Sequence, residues 1–167
     1  MSIYPFILEI KKHVRSVEGW LDKASAHAEA KKYNTSVLLQ TRLAPDMLPL
    51  VFQIQATCDQ AKYAAARTTA KDPPSHPDTE QSFDELKQRL AAVAAYLDTF
   101  TSADFEDLGS RTISLPRWQG KTMTALDYFI EHAQPNFYFH YTTTYAILRN
   151  SGVDIGKRDY LGALSQR

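Results

Sequence analysis

The sequence predicts an all-α protein: a four-helix bundle with an irregular segment before the last helical region. Three observations carry this. Apolar residues recur at steps of three and four in four separate stretches, the spacing of a helix face. No stretch gives the sustained alternation of a sheet. The 167 residues are 44% hydrophobic and 23% charged, enough to close one core without disulfides. Amphipathic helices of this kind bury their stripes against one another. No repeat, low-complexity tract or internal boundary divides the chain, so residues 1–167 are expected to form a single domain.

Ile3, Phe6 or Ile7, Ile10, Val14, Val17 and Leu21 place a first helix over about residues 3–28. Ser2 is its expected N-cap, and Pro5 is tolerable within the first turn. Asn34, Thr35 and Ser36 mark a loop. A second helix is expected from Pro45, a good first helical residue, to about Ala70, with Met47, Val51, Ile54, Cys58, Ala61 and Ala65 as its stripe. The segment KDPPSHPD, residues 71–78, breaks the chain, because prolines so closely spaced cannot continue a helix. Thr79 then caps a third helix, on which Phe83, Leu86, Leu90, Val93, Leu97 and Phe100 form the most regular stripe in the sequence, ending near Thr101. Residues 104–120 are irregular, with a short extended or hairpin segment over Arg111–Trp118. Thr122 or Thr124 caps a last helical region carrying Leu126, Phe129, Ile130, Phe137, Tyr141, Thr144 and Leu148. Pro135 either kinks one helix there or starts a new one at Asn136. Gly152 reads as a left-handed C-terminal cap before a polar tail.

Nineteen basic side chains balance nineteen acidic ones, which argues against a nucleic-acid partner. Cys58 is the only cysteine, so no intramolecular disulfide forms. The N-terminus carries no basic leader or small-residue cleavage site, and no apolar run reaches the length of about 18 residues that spans a bilayer. These features predict a cytoplasmic protein without a membrane partner.

Of the five histidines, His13 lies one position off its stripe and reads as a partly exposed surface residue. His27 sits at a helix C-terminus, where a cation is favoured, and His76 reads as solvated between prolines. His132, Asn136 and His140 share a face of an unbroken helix, but two turns separate the imidazoles, too far for one metal ion. His140 falls on the core-facing stripe, where its ring must hydrogen-bond or coordinate something. Either a core histidine satisfied by Gln, Thr or a carbonyl, or a metal ligand, fits that position. Gln53 interrupts the second helix beside Ile54, where its amide can face a core histidine or solvent; Gln55 interrupts the same helix. Asp127 and Glu131 read as a solvated acidic pair, and Cys58 as a small buried hydrophobe. The cluster FYFHY, residues 137–141, is apolar all round, implying burial inside the monomer or at a dimer interface. Lys157 and Arg158 beside Gly156 read as a turn with solvated charges.

The stretches RLAPDMLPLVFQIQ (42–55) and PNFYFHYTTTYAILRNSGVDIGKRDYLG (135–162) resemble an uncharacterised, mainly bacterial and fungal family within the DinB-like metalloenzyme superfamily. The resemblance implies a four-helix bundle, often a homodimer. It also implies a metal held by one histidine on the second helix and two, one turn apart, on the last; some relatives are thiol-dependent transferases or isomerases. In this chain His140 matches the first histidine of the last-helix pair, Thr144 stands one turn later, and Gln53 stands near the second-helix position. One imidazole, one amide and one hydroxyl make a poor divalent-ion site. The expectation is therefore a degenerate internal pocket at Gln53, His140 and Thr144, binding a small molecule without cofactor, in a homodimer. Its alternative is a thiol-dependent transferase or metal-assisted enzyme using His140, the one candidate ligand for a divalent metal.

Overall fold

The apolar stripe of the first segment becomes α1, Tyr4–Ala30, in the computed structural model, which describes residues 2–166. Ile7, Ile10, Val14, Val17, Leu21 and Ala24 are buried along it. Ile7 takes the core position and Phe6 faces outward. The cap position belongs to Ile3, not Ser2; the Ser2 hydroxyl instead accepts from the Tyr4 amide at 3.3 Å.

The expected loop after α1 contains a single helical turn, α2, Ser36–Leu39, begun where Asn34 Oδ1 accepts the Ser36 amide at 2.8 Å. It drives Leu38 and Leu39 into the core. The next long helix, α3, spans Leu50–Thr69 and starts five residues later than Pro45 suggests. Pro49 marks the start: it is an extended N-cap with ψ 170°, and a proline disfavours helical backbone in the residue before it, here Leu48. α4, Phe83–Leu97, is capped by Ser82, whose hydroxyl accepts the Glu85 amide at 3.2 Å. Glu85 reaches back to the Gln81 amide, so the cap lies three residues beyond Thr79. All six expected apolar positions, Phe83 to Phe100, are buried, although the helix ends at Leu97, short of Thr101.

Beyond α4 the chain is irregular as expected. Single 3₁₀ turns occupy Ser102–Phe105 and Pro116–Trp118. A two-residue strand β1, Thr112–Ile113, pairs antiparallel with β2, Met123–Thr124, in the register Thr112 to Thr124 and Ile113 to Met123. Thr124 then caps α5, Ala125–Asp127, by accepting the Asp127 amide at 3.1 Å. A π-helical turn follows over Tyr128–Ala133, running directly into α6, Gln134–Asn150. One continuous helical run thus answers the choice that Pro135 posed. Proline lacks an amide hydrogen, and its ring collides with the carbonyl four residues back in a regular helix. The wider π turn accommodates both. It also shifts the register, so His132 and His140 meet different surroundings.

Gly152 has φ +87°, the left-handed cap expected of it. The tail after it is not simply polar. Val153 and Ile155 are buried, and α7, Lys157–Leu161, returns to α1, where the Trp20 indole N–H donates to the Asp159 carbonyl at 3.2 Å. The protein is all-α apart from the β1–β2 ribbon. α3 packs along α6, α4 and α1, while α1 also packs on α4 and α6. One contiguous apolar core lies among these four helices. Among the described residues no helix is long and apolar enough to cross a membrane.

Candidate functional site

The contact of α3 with α6 brings Gln53 and His140 together. His140 Nδ1 lies 2.8 Å from Gln53 Oε1, and Gln53 Nε2 donates to the Leu48 carbonyl at 3.0 Å. The second bond fixes the first. Were the amide turned over, its oxygen would face the Leu48 oxygen, so Gln53 Oε1 accepts and His140 Nδ1 carries the hydrogen. Gln53 is buried and His140 half-buried. Burial lowers the His140 pKa from its ordinary value, favouring the neutral ring. A neutral ring protonated at Nδ1 presents a lone pair at Nε2. Two aromatic rings flank it: Phe139, centroid 5.1 Å away and exposed, and Phe52 at 6.0 Å, both edge-on.

Thr144 is fully buried one turn along α6, and its hydroxyl donates to the His140 carbonyl at 2.9 Å. It supports the His140 backbone rather than meeting the imidazole. Three clefts elsewhere on the surface are lined at His76–Arg89, at Phe105–Gly109 and at His27–Asp154; none includes Gln53, His140 or Thr144.

The opposite end of the α3–α6 pair holds a second group. Arg67 Nη1 donates to the Tyr128 hydroxyl at 3.0 Å while its guanidinium lies 4.0 Å over the Tyr63 ring. His132 stacks on Tyr128 at 5.2 Å, and Arg117 donates to His132 Nε2. Between the ends, α4 presents Arg89. Although arginine, it is buried, with Asp59 Oδ1 and Asp78 Oδ1 each at 2.7 Å and Glu80 Oε1 at 3.1 Å. Lys62, also buried, pairs with Asp59 at 2.8 Å and meets His76 Nδ1 at 3.3 Å. Gln55 completes this clasp by donating to Glu80 at 2.8 Å. It anchors the proline-rich segment to the helices.

Comparison with known proteins now places the chain. The profile of a domain of unknown function, DUF1993, matches residues 5–161. The chain belongs to the DUF1993 family. A solved structure of a DinB family member protein from Shewanella denitrificans superposes with a TM-score of 0.93 at 46% identity, covering 96% of this chain and 92% of that one. No curated protein matches the chain. The all-α, DinB-like fold expected of the DUF1993 chain is thereby shown.

The three-histidine metal site implied by that resemblance does not fit this DUF1993 member. Only one of the three positions is a histidine, the Gln53 oxygen already accepts from His140, and the Thr144 hydroxyl already donates. Among the described residues no three His, Cys, Asp or Glu side chains are grouped to hold a metal ion. Cys58 is fully buried and its pKa is pushed up to about 12 by burial, so the thiol is held un-ionised, in keeping with a small hydrophobe.

Several polar positions differ from the sequence reading. His13, expected at the surface, is buried: its Nδ1 donates to the Glu9 carbonyl at 2.8 Å and its ring meets Tyr141 edge-on at 4.7 Å. His76 is half-buried against Lys62 rather than solvated. Sequence reasoning passed over the Arg89 clasp, though its signal was present: Arg89 stands three residues after Leu86 and four before Val93, on the apolar stripe.

Proposed function

We propose that this protein is a small-molecule-binding module whose recognition group is His140, oriented by Gln53 and supported through its backbone by Thr144. The observation carrying this reading is the 2.8 Å Gln53–His140 hydrogen bond, which holds the ring hydrogen on Nδ1 and leaves an imidazole lone pair at Nε2. A half-buried acceptor flanked by Phe52 and Phe139 suits a ligand that combines an aromatic or aliphatic body with one O–H or N–H donor. The reading requires no cofactor, and we propose with it a cytoplasmic homodimer. Ile130 and Phe139, 51% and 55% exposed, support the dimer as side chains that a second copy would cover. Light scattering at two concentrations tests that part.

Screening small phenols and amides by ligand-observed NMR tests the site. Binders are expected, and both His140→Ala and Gln53→Leu should abolish their signals. Binding that survives both substitutions would sink the proposal.

A second reading, an enzyme using His140 as general base, is favoured by the same fixed tautomer: a neutral imidazole with a free Nε2 is the form that accepts a proton. Its thiol-dependent version predicts glutathione-dependent turnover that disappears with His140→Ala. No step through a metal is included, because the donor set does not fit one.

A further inference from the structure

Arg89 and the pair Arg67 and Arg117 differ in what neutralises them. Arg89 is surrounded by three carboxylates. Among the described residues neither Arg67 nor Arg117 has a carboxylate oxygen within 4.0 Å. Both nevertheless converge on one place, the stacked rings of Tyr128 and His132 on the π-helical turn.

What they hold there are weak acceptors. Arg67 donates to a neutral phenol oxygen, and Arg117 to a neutral imidazole nitrogen. A charged oxygen is a stronger acceptor than either, and a guanidinium matches its fork to two such oxygens. Arg67 is also pre-oriented: stacking on Tyr63 fixes the guanidinium plane and leaves its N–H edge to point past the ring. His132 is held less firmly. With Nε2 accepting from Arg117, the hydrogen lies on Nδ1, which is buried without a partner. Exchanging the Arg117 bond therefore disturbs a ring that has only one hydrogen bond to lose. Trp118 stands 5.9 Å from His132 and is half-buried, so an aromatic wall borders the cationic pair.

We propose that Arg67 and Arg117, at the π-helical turn beside Trp118, form a binding site for an oxyanion: the carboxylate or phosphate group of a small molecule. The anion accepts from both guanidiniums, as a stronger acceptor than the phenol and the imidazole that they meet. This site is separate from the Gln53–His140 pair. Arg67 lies fourteen positions after Gln53 on α3, about 21 Å along a helix.

Titration of the full chain with inorganic phosphate and, separately, with benzoate tests the site, read by the Trp118 indole and His132 ring signals in ¹⁵N NMR at low salt. Saturable shifts at both residues are expected with at least one probe, and which probe acts distinguishes a phosphate ligand from a carboxylate one. Arg117→Gln, at an exposed position, should weaken binding about tenfold, and adding Arg67→Gln should weaken it further. Arg117→Lys, which keeps the charge and loses the fork, should fall between. Arg158→Gln, on an exposed arginine of α7, should change nothing. If neither probe gives saturable shifts at Trp118 and His132, or if Arg117→Gln binds as the natural chain does, the proposal is wrong.

Discussion

At the Gln53 end of the α3–α6 pair a histidine donates through Nδ1 to an amide; at the Arg67 end a histidine accepts through Nε2 from a guanidinium. Both histidines lie on the last helical run, and burial lowers both pKa values. The partner alone inverts what each ring offers. His140 is left with a lone pair at Nε2, whereas His132 keeps a buried, unpartnered N–H at Nδ1. The supports differ as well. Gln53 is tied to the Leu48 carbonyl at the start of α3, so its amide cannot turn. Arg117 belongs to the irregular segment between β1 and β2 and is exposed. One end is a fixed acceptor on a neutral background, and the other is a pair of cations that can rearrange. Two histidines on one helix are therefore not a repeated motif.

The largest expected effect tests whether the ends are independent. Arg89→Ala would leave Asp59, Asp78 and Glu80 without the guanidinium between them, a loss of about 3 kcal/mol. For a chain of this length that lowers Tm by about 10 °C. The His140 and His132 ring signals should nevertheless stay in place, since neither ring bonds to the clasp. Movement of both together would show that the ends are coupled through α3.

Gln53→Leu sharpens the contrast in rigidity. It leaves the Leu48 carbonyl and the His140 Nδ1–H without their partner, and should cost about 1–2 kcal/mol in denaturant unfolding. Arg117→Gln, at an exposed site, should cost within about 0.5 kcal/mol. Equal losses would mean that the Arg117 contact is as firmly built as the amide one.

Acid should act on both ends with the same sign. Each histidine is harder to protonate folded than unfolded, so below the ordinary value of 6.5 the unfolded chain binds more protons. Stability is therefore expected to fall as pH drops through 6.5 towards the folded values. His13 and His76 are lowered as well, so replacing His132 and His140 by Gln should flatten the slope in part and not wholly. A slope unchanged by both substitutions would refute the assignment of neutral rings.

How far the sequence revealed these ends follows from what each depends on. The α4 stripe was legible to the residue because a three-and-four apolar repeat is a local property. Gln53 and His140 were legible as polar intruders on two such stripes, and the fold brought them into contact. The start of α3 is not legible because Pro45 and Pro49 are both allowed at a helix start, and it is the extended backbone of Pro49 that decides between them. The Arg67–His132 end was not legible. It depends on a π turn that changes the register by an amount no periodicity test detects, and on Arg117 arriving from an irregular segment. His13 was misread because one position off a stripe is still inside a broad buried arc once α7 and Tyr138, Tyr141 and Tyr160 cover it.

The smallest expected effect bears on Thr144, one turn beyond His140 on α6. Its hydroxyl donates to the His140 carbonyl, which also has its place in the α6 backbone ladder, so the bond is a supplement to the helix and not its closure. Thr144→Val keeps the shape and removes the supplement, and should change stability by less than about 1 kcal/mol. The discriminating measurement is the His140 titration. Gln53→Glu puts a carboxylate against the Nδ1 hydrogen and should raise the His140 pKa clearly above its value in the natural chain. Thr144→Val should leave it where it was, because no Thr144 atom bonds the ring. If Thr144→Val moves that pKa as far as Gln53→Glu does, the hydroxyl faces the imidazole in solution. The Gln53 end would then be a three-residue site, and the difference between the two ends would lie in the number of groups that meet the ring rather than in the sense of one hydrogen bond.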